Sequence, residues 1–324
     1  MAGTRDGEQF RTERPSFDAA ESPDAAEIRY WRDIPWPDHL RRAPGRGKLP
    51  GTAMPHVLLT NDDGVTAEGL IALRGQLLEL GLQVSVVAPD GNRSGMARAI
   101  SFDRPVGVVA AGGSERDPVF ACTGSPVDCV RVGALSGLVP PVDLVVSGIN
   151  HGLNVGDDVT YSGTVGAALE AAILDLPAIA VSQQADDGSF RFNDSGLTIS
   201  FRLASEAARL VQTVATQRPP PRTVLNVNLP AANGTPRVVL TRPGRRFFAP
   251  DVVKPVGGPG EDRAFYPYGL PSDPAPDYDD DDGTDFAALR VGCISVSLLA
   301  AGAADAASAA RRDWFDGTFA AAPG

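Results

Sequence analysis

Residues 56–70 read HVLLTNDDGVTAEGL: an apolar run, a short polar stretch with two adjacent aspartates and a glycine, and the start of a helical pattern. Strand, loop and helix in that order open a βαβ unit. The order recurs along the chain. Strands are predicted at 56–60, 83–88, 142–147 and 178–182, with helices at 66–80, 125–136, 164–175 and 197–216. This alternation predicts an α/β fold on a mostly parallel sheet. Segments 106–110 and 119–123 are expected to make a hairpin branching from the second connection. Further strands are expected at 223–228, 238–241 and 293–298.

The flanks read differently. Residues 1–53 are rich in Arg, Asp, Glu, Pro and Gly, with one apolar cluster at Ile28, Tyr30, Trp31, Ile34 and Trp36. They are expected to be a disordered leader with one docking segment. Because the first strand begins two residues after Met54, a mis-assigned start is the alternative, and mass spectrometry of the native protein distinguishes the two. Residues 54–324 then form the working domain. Within it, 242–285 is a Pro-, Gly- and Asp-rich excursion, read as a long loop or mobile arm, and 286–324 is a C-terminal segment.

Of the 324 residues 43% are apolar and 21% charged, as in a soluble globular protein. The formal net charge of −11 disfavours a nucleic-acid partner, which requires a basic surface. Much of that charge lies in one run: Asp273, Asp277, Asp279, Asp280, Asp281, Asp282 and Asp285. With Gly283 as sixth residue of an EF-hand loop, the first and twelfth ligands would fall on Tyr278 and Leu289, neither usable, so the run reads as a solvated acidic loop. Cys122, Cys129 and Cys293 form no CxxC pair, which points to a reducing compartment and a cytoplasmic protein. The longest apolar run, 165–181, is interrupted by Glu170 and Asp175, so no membrane span is expected.

In open α/β sheets ligands bind beyond the carboxyl ends of the strands. Thr60-Asn61-Asp62-Asp63-Gly64 occupies such a place. Adjacent carboxylates repel unless a cation neutralises them, and hard oxygen donors suit Mg²⁺, Mn²⁺ or Ca²⁺. The alternative is an Asx turn capping the next helix. Asp62-Asp63-Gly64-Val65-Thr66 lacks the Asp-x-Asp-x-Thr spacing of a haloacid-dehalogenase phosphatase. A second polar loop, APDGNRSG, follows at 88–95, and by itself it reads as an ordinary turn. The third loop starts at Ser147 and ends in Tyr161-Ser162-Gly163-Thr164 before an Ala-rich helix. Its glycines allow close backbone approach, and two hydroxyls with free amides at a helix start suit phosphate. Neither a Walker loop nor GxGxxG is present. Ser125 reads as a helix cap followed by Pro126 and Asp128, and Cys129 reads as buried packing.

Together these loops resemble the SurE family, stationary-phase survival proteins that act as metal-dependent nucleoside-monophosphate phosphatases. The matching text is LLTNDDG at 58–64, APDGNRSG at 88–95, TGSPVDCV at 123–130, SGINHGLNVGDDVTYSGTVGAALE at 147–170 and PAIAVS at 177–182. Weaker echoes are LNVNLP at 225–230 and TDFAALRVGCISVSLL at 284–299, so the resemblance spans about 54–300. It implies metal ligands at Asp62, Asp63, Ser94 and Asn150 and phosphate contacts through Ser162, Gly163 and Thr164. It also implies one divalent cation (Mg or Mn), a Rossmann-like three-layer core with a smaller β-rich extension and an exchanged C-terminal arm, and a dimer or tetramer. Three departures stand out: Met96-Ala97-Arg98 after the RSG motif, Ser297-Leu298-Leu299 in place of Thr-Pro-Leu, and the composition of 242–285. The last two bear on the oligomerisation arm.

The resemblance therefore implies a phosphomonoesterase that hydrolyses nucleoside 5′-monophosphates, and 3′-monophosphates as a further substrate. In it the cation polarises the phosphoryl group, Asp62 is a candidate base, and Asn150 stabilises phosphate charge. His151 is a candidate acid for the leaving alkoxide. Two rivals use the same site: a non-catalytic Mg–nucleotide sensor, and a phosphatase of another phosphate ester or polyphosphate. No His cluster supports a zinc hydrolase, and no G-x-S-x-G elbow is present.

Overall fold

In the computed structural model residues 54–191, 197–232, 235–256, 264–270, 273 and 276–302 are described. The expectations for the 1–53 leader, and for the C-terminal segment beyond residue 302, lie outside the described residues. The first strand, β1 (His56–Thr60), is fully buried and lies in parallel between β2 (Gln83–Pro89) and β5 (Leu144–His151). Helix α1 (Glu68–Glu79) joins β1 to β2. Parallel pairing continues from β5 to β6 (Ala178–Gln183) and on to β7 (Thr223–Leu229).

Successive residues of a strand face opposite sides of a sheet, so a strand covered on both faces is apolar throughout. Val57 and Leu59 of β1 pack with Leu70, Leu73 and Leu77 of α1 and with Val211 of α4 (Ala204–Thr216). Leu58 packs on the other side with Val130 of α2 (Pro126–Leu135) and Ala168 and Ala171 of α3 (Gly163–Ile173). The result is a three-layer α/β sandwich. Gly69 lets α1 approach the sheet closely, since a Cβ there would lie 2.1 Å from the Ile149 carbonyl oxygen.

Strands β3 (Val108–Gly113) and β4 (Pro118–Cys122) form the expected hairpin. The hairpin lies in the connection after β2 as expected, and β4 pairs in parallel with β2, with Val86 opposite Val119, so the hairpin extends the main sheet. At the other end β13 (Ile294–Ala300) inserts between β7 and β8 (Val238–Thr241), antiparallel to the first and parallel to the second. The nine strands run β3-β4-β2-β1-β5-β6-β7-β13-β8.

Two expectations need correction. Helix α4 starts at Ala204 instead of 197. The residues before it bond elsewhere: Thr198 O accepts from Asp186 N at 2.9 Å, and Ser200 N donates to the Asp186 carboxylate at 3.2 Å. Phe201 then turns the chain at φ +45°. The excursion, for its part, carries two small ladders, β9 (Arg246–Phe247) with β12 (Asp277–Tyr278) and β10 (Lys254–Val256) with β11 (Ala264–Tyr266). It is a β-rich extension, closed by α5 (Asp285–Arg290), whose cap Thr284 accepts from Ala287 N at 3.1 Å. Asp281 and Asp282 are exposed as expected, but Asp285 leaves the solvated loop. It is fully buried and accepts the amides of Gly156 at 2.8 Å and Gly244 at 2.9 Å.

A buried ion pair fixes the extension to the core. Arg246 donates through Nε to both carboxylate oxygens of Asp158 at 2.8 Å and through Nη1 to Phe190 O at 2.8 Å. Its guanidinium lies 5.2 Å from the centre of the Phe286 ring. Burial pushes the Asp158 carboxyl up to about 6 against the opposing pull of Arg246. Among the described residues no helix is long and apolar enough to cross a membrane.

Candidate active site

The carboxyl ends of β1, β2 and β5 lead into three loops beside the N-terminus of α3. In the first loop Asn61 makes the turn. Its amide donates to Gly64 O at 2.9 Å and its Oδ1 accepts from Gly64 N at 3.2 Å. Helix α1 is capped at Ala67 without any side-chain bond. The turn chemistry therefore falls to Asn61, and neither Asp62 nor Asp63 is used as a cap. Gly64, at φ +113°, brings this loop against the second: a Cβ there would lie 3.2 Å from the Gly91 backbone.

Asp62 is 3% exposed. Its Oδ1 accepts from the Thr164 hydroxyl, which also lies 3.2 Å from Asn150 Oδ1. Thr164 thus joins a carboxylate from the end of β1 to an amide from the end of β5. Burial pushes the Asp62 carboxyl up, while the Thr164 hydroxyl and the backbone amides of Thr164 and Gly163 pull it down. These amides belong to the N-terminal turn of α3, where the helix dipole favours negative charge. Gly163 is required by this approach, since a Cβ there would lie 2.8 Å from the Asp62 Cβ.

Asp63 accepts the His151 amide at 3.0 Å, which brings it beside Asn150. The His151 ring lies 6.4 Å from that of Phe201. Asn150 donates to Gly152 O at 3.0 Å and so keeps Oδ1 turned toward Thr164. Arg93 N donates to Asp62 O at 2.6 Å, and the next residue, Ser94, is exposed. The Ser162 hydroxyl accepts from Val165 N at 3.0 Å and so caps α3. Asp62 and Asn150 both contact the Thr164 hydroxyl; Asp63 and Ser94 reach these residues through their neighbours. The donors are two carboxylates, an amide oxygen and hydroxyls, which suit a hard divalent cation. Among the described residues no group of three or more His, Cys, Asp or Glu could hold a metal, so any cation here depends on the neutral oxygens too.

Supporting residues escaped the sequence reading. Asn154 donates to Ser182 Oγ at 2.7 Å, and its carbonyl accepts from Asn226 and Asn228 at 2.9 Å, which pins the third loop over β6 and β7. Glu170, buried on α3, binds Arg98 at 2.7 Å and Arg131 at 2.6 Å and so ties the Ser94 loop and α2 to α3. A carboxylate among alanines was the available signal, because it needs a cation when buried.

The family model described as "Survival protein SurE" matches residues 57–250. A "5'-nucleotidase SurE" of Pelobacter propionicus is 40% identical over 246 residues, covering 75% of this chain and 92% of that protein. The "5'-nucleotidase SurE" of Syntrophotalea carbinolica is 43% identical over 245 residues, covering 75% of this chain and 90% of that protein. The crystal structure of the SurE protein from Aquifex aeolicus superposes with a TM-score of 0.63 at 31% identity, covering 81% of this chain and all of that one.

Proposed function

The chain belongs to the SurE family, and we propose that it is a metal-dependent 5′-nucleotidase that hydrolyses nucleoside 5′-monophosphates to nucleoside and phosphate. Nucleoside 3′-monophosphates are a further proposed substrate. The observation that carries the reading is the convergence of Asp62, Asn150 and Thr164 on one hydroxyl at the carboxyl edge of the sheet. Residues 54–324 make the catalytic domain in this proposal.

The proposed ligands of a single divalent cation, Mg²⁺ or Mn²⁺, are Asp62, Asp63, Ser94 and Asn150. Asp62 is buried on hydrogen-bond donors, with no cationic side chain bonded to it among the described residues, so a divalent cation would supply the missing positive charge. The chemistry such an ion would supply there is Lewis-acid polarisation of the phosphoryl group.

The chain's own groups do the rest. The amides of Gly163 and Thr164 offer partial positive charge to the phosphate, and Ser162 fixes the turn that presents them. Thr164 holds Asp62 and Asn150 in register, and Asp62 is the acceptor proposed for the water's proton. Asn150 stabilises charge on the phosphoryl oxygens.

A cytoplasmic location and a dimer or tetramer are part of the same proposal. The free thiols of Cys122, Cys129 and Cys293 support the first. The exposed Val238 and Leu240 on the edge strand β8 support the second.

The test is phosphate release from a panel of nucleoside monophosphates, with chelated protein compared before and after Mg²⁺, Mn²⁺ or Zn²⁺ is restored. Release that vanishes on chelation and returns with one metal is the expected result. Binding of nucleotide without release under any metal would replace the enzyme with a sensor.

A further inference from the structure

The proposed phosphate turn continues a short 3-10 helix, Gly156–Thr160, in which Tyr161 N donates to Asp158 O at 3.0 Å. Ser162 follows directly, and its hydroxyl caps α3 by accepting from Val165 N. A displacement of Asp158 is therefore passed to Ser162 through one hydrogen bond and one peptide unit, and peptide units are planar and stiff.

Residues from 244 onward hold this short helix at three consecutive positions. Gly156 N donates to the Asp285 carboxylate at 2.8 Å. The Asp157 carboxylate accepts from Arg246 N at 3.0 Å. The Asp158 carboxylate accepts Arg246 Nε on both oxygens at 2.8 Å, and Nη2 lies 2.7 Å from its Oδ2. Arg246 is itself fixed. Its Nη1 donates to Phe190 O at 2.8 Å, its guanidinium lies against the Phe286 ring, and its side chain has no exposed surface. A planar guanidinium bonded to both oxygens of a carboxylate sets orientation as well as distance, which a flexible ammonium does not. A buried ion pair contributes little net stability, and its best-attested use is to select one arrangement. The proposed cation ligands are held by other bonds: Asp62 by the Thr164 hydroxyl, Asp63 by His151 N and Asn150 by Gly152 O.

We propose that Arg246 is a positioning residue for the phosphoryl group: acting through Asp158, it sets where the Gly163 and Thr164 amides point. The proposal rests on the nucleotidase reading and deepens it. The β-rich extension, through Arg246, then governs how tightly phosphate is held without touching it. Misplacement of a site by about 1 Å from a distant change is enough to alter its function.

The experiment uses the full chain with its activating metal, well below the Tm of each variant. It reads kcat and KM for adenosine 5′-monophosphate together with the inhibition constant of inorganic phosphate. In Arg246→Gln, KM and that constant are expected to rise about tenfold, while kcat falls and metal affinity changes by less than about threefold. Arg246→Lys restores a charge opposite Asp158 without the planar fork and recovers part of the loss. Asp157→Ala, at an exposed residue, removes one bond to Arg246 N and is expected to raise both constants about threefold, so the test survives a failure of Arg246→Gln to fold. A role in stability alone lowers Tm and moves neither constant. Unchanged constants in folded Arg246→Gln, or in Asp157→Ala where Arg246→Gln does not fold, overturn the positioning role and leave the nucleotidase standing. A wild type that releases no phosphate with any metal overturns the nucleotidase reading itself, and the positioning role with it.

Discussion

The hydroxyl of Thr164 donates to the carboxylate of Asp62, 102 positions earlier in the chain. The same oxygen lies 3.2 Å from Asn150 Oδ1, so one hydroxyl sets the spacing between two side chains from different strands. Thr164→Val keeps the shape of the residue and removes the donor. Loss of a bond to a charged group costs about 1.5–3 kcal/mol, and kcat/KM is expected to fall roughly tenfold to a hundredfold. Thr164→Ser should recover most of it. Steady-state kinetics of the three proteins checks this.

Gly163→Ala adds a methyl group 2.8 Å from the Asp62 Cβ, a separation at which the Asp62 side chain has to shift. The carboxylate must move, and displacement of a reacting group by about 1 Å can cost on the order of a hundredfold in rate. Activity is expected to drop while the Tm changes little, as measured by calorimetry alongside turnover.

Asp63→Asn removes one charge from the proposed cation site but retains an oxygen for the His151 amide, now held at 3.0 Å. The fold is expected to persist, phosphate release to collapse, and metal affinity to weaken in a direct titration. Near-normal turnover with unchanged metal dependence would reject the ligand assignment.

Arg246→Met leaves the Asp158 carboxylate buried without its partner, a change worth about 3 kcal/mol or more at neutral pH. The folded-state value of Asp158, about 6, lies above that of an unfolded aspartate, so protonation favours the folded chain. Without Arg246 the Asp158 carboxyl moves higher still, so the penalty on the variant shrinks as the pH falls below 6 and grows as the pH rises above it. Melting curves of both proteins at pH 7.5 and pH 5 give the comparison.

His56 offers a pH signature with the opposite sign. Its Nδ1 lies 3.0 Å from Pro141 O and its Nε2 2.9 Å from Ser85 Oγ, and burial lowers its value below that of an exposed histidine. Below the ordinary value the unfolded chain takes up a proton that the folded chain resists, so stability falls as the pH drops through that range. His56→Gln should flatten the dependence between pH 7 and pH 5, read as Tm against pH.

The strands were legible because each is a short apolar run bounded by turn residues, and β1 matches its predicted limits. The cap at Ser125, with Pro126 and Asp128 in the first turn, was legible too, because all its parts are local; the structure adds that Asp128 bonds back to the Ser125 amide to complete a capping box. What escaped depends on distance. The residues at 197–203 look helical until Asp186 takes their backbone groups. Asp285 looks like its solvated neighbours until Gly156 and Gly244 arrive from elsewhere in the chain. At the site, the residue types at Asp62, Asn150 and Thr164 could be read from sequence, whereas the sharing of one hydroxyl among them could not.

The anchoring of Gly156 by Asp285 sets an order on synthesis. Strands β1, β2, β5 and β6 emerge from the ribosome early and can pair among themselves. Strand β8 has no neighbour in the main sheet until β13, made last, arrives between it and β7. The loop that leads into Ser162 likewise lacks its final support until residue 285 has been added. A nascent chain can thus own most of its core while its reactive edge is still unfinished, and a chain cut short before residue 285 would be folded in its centre and silent at its edge.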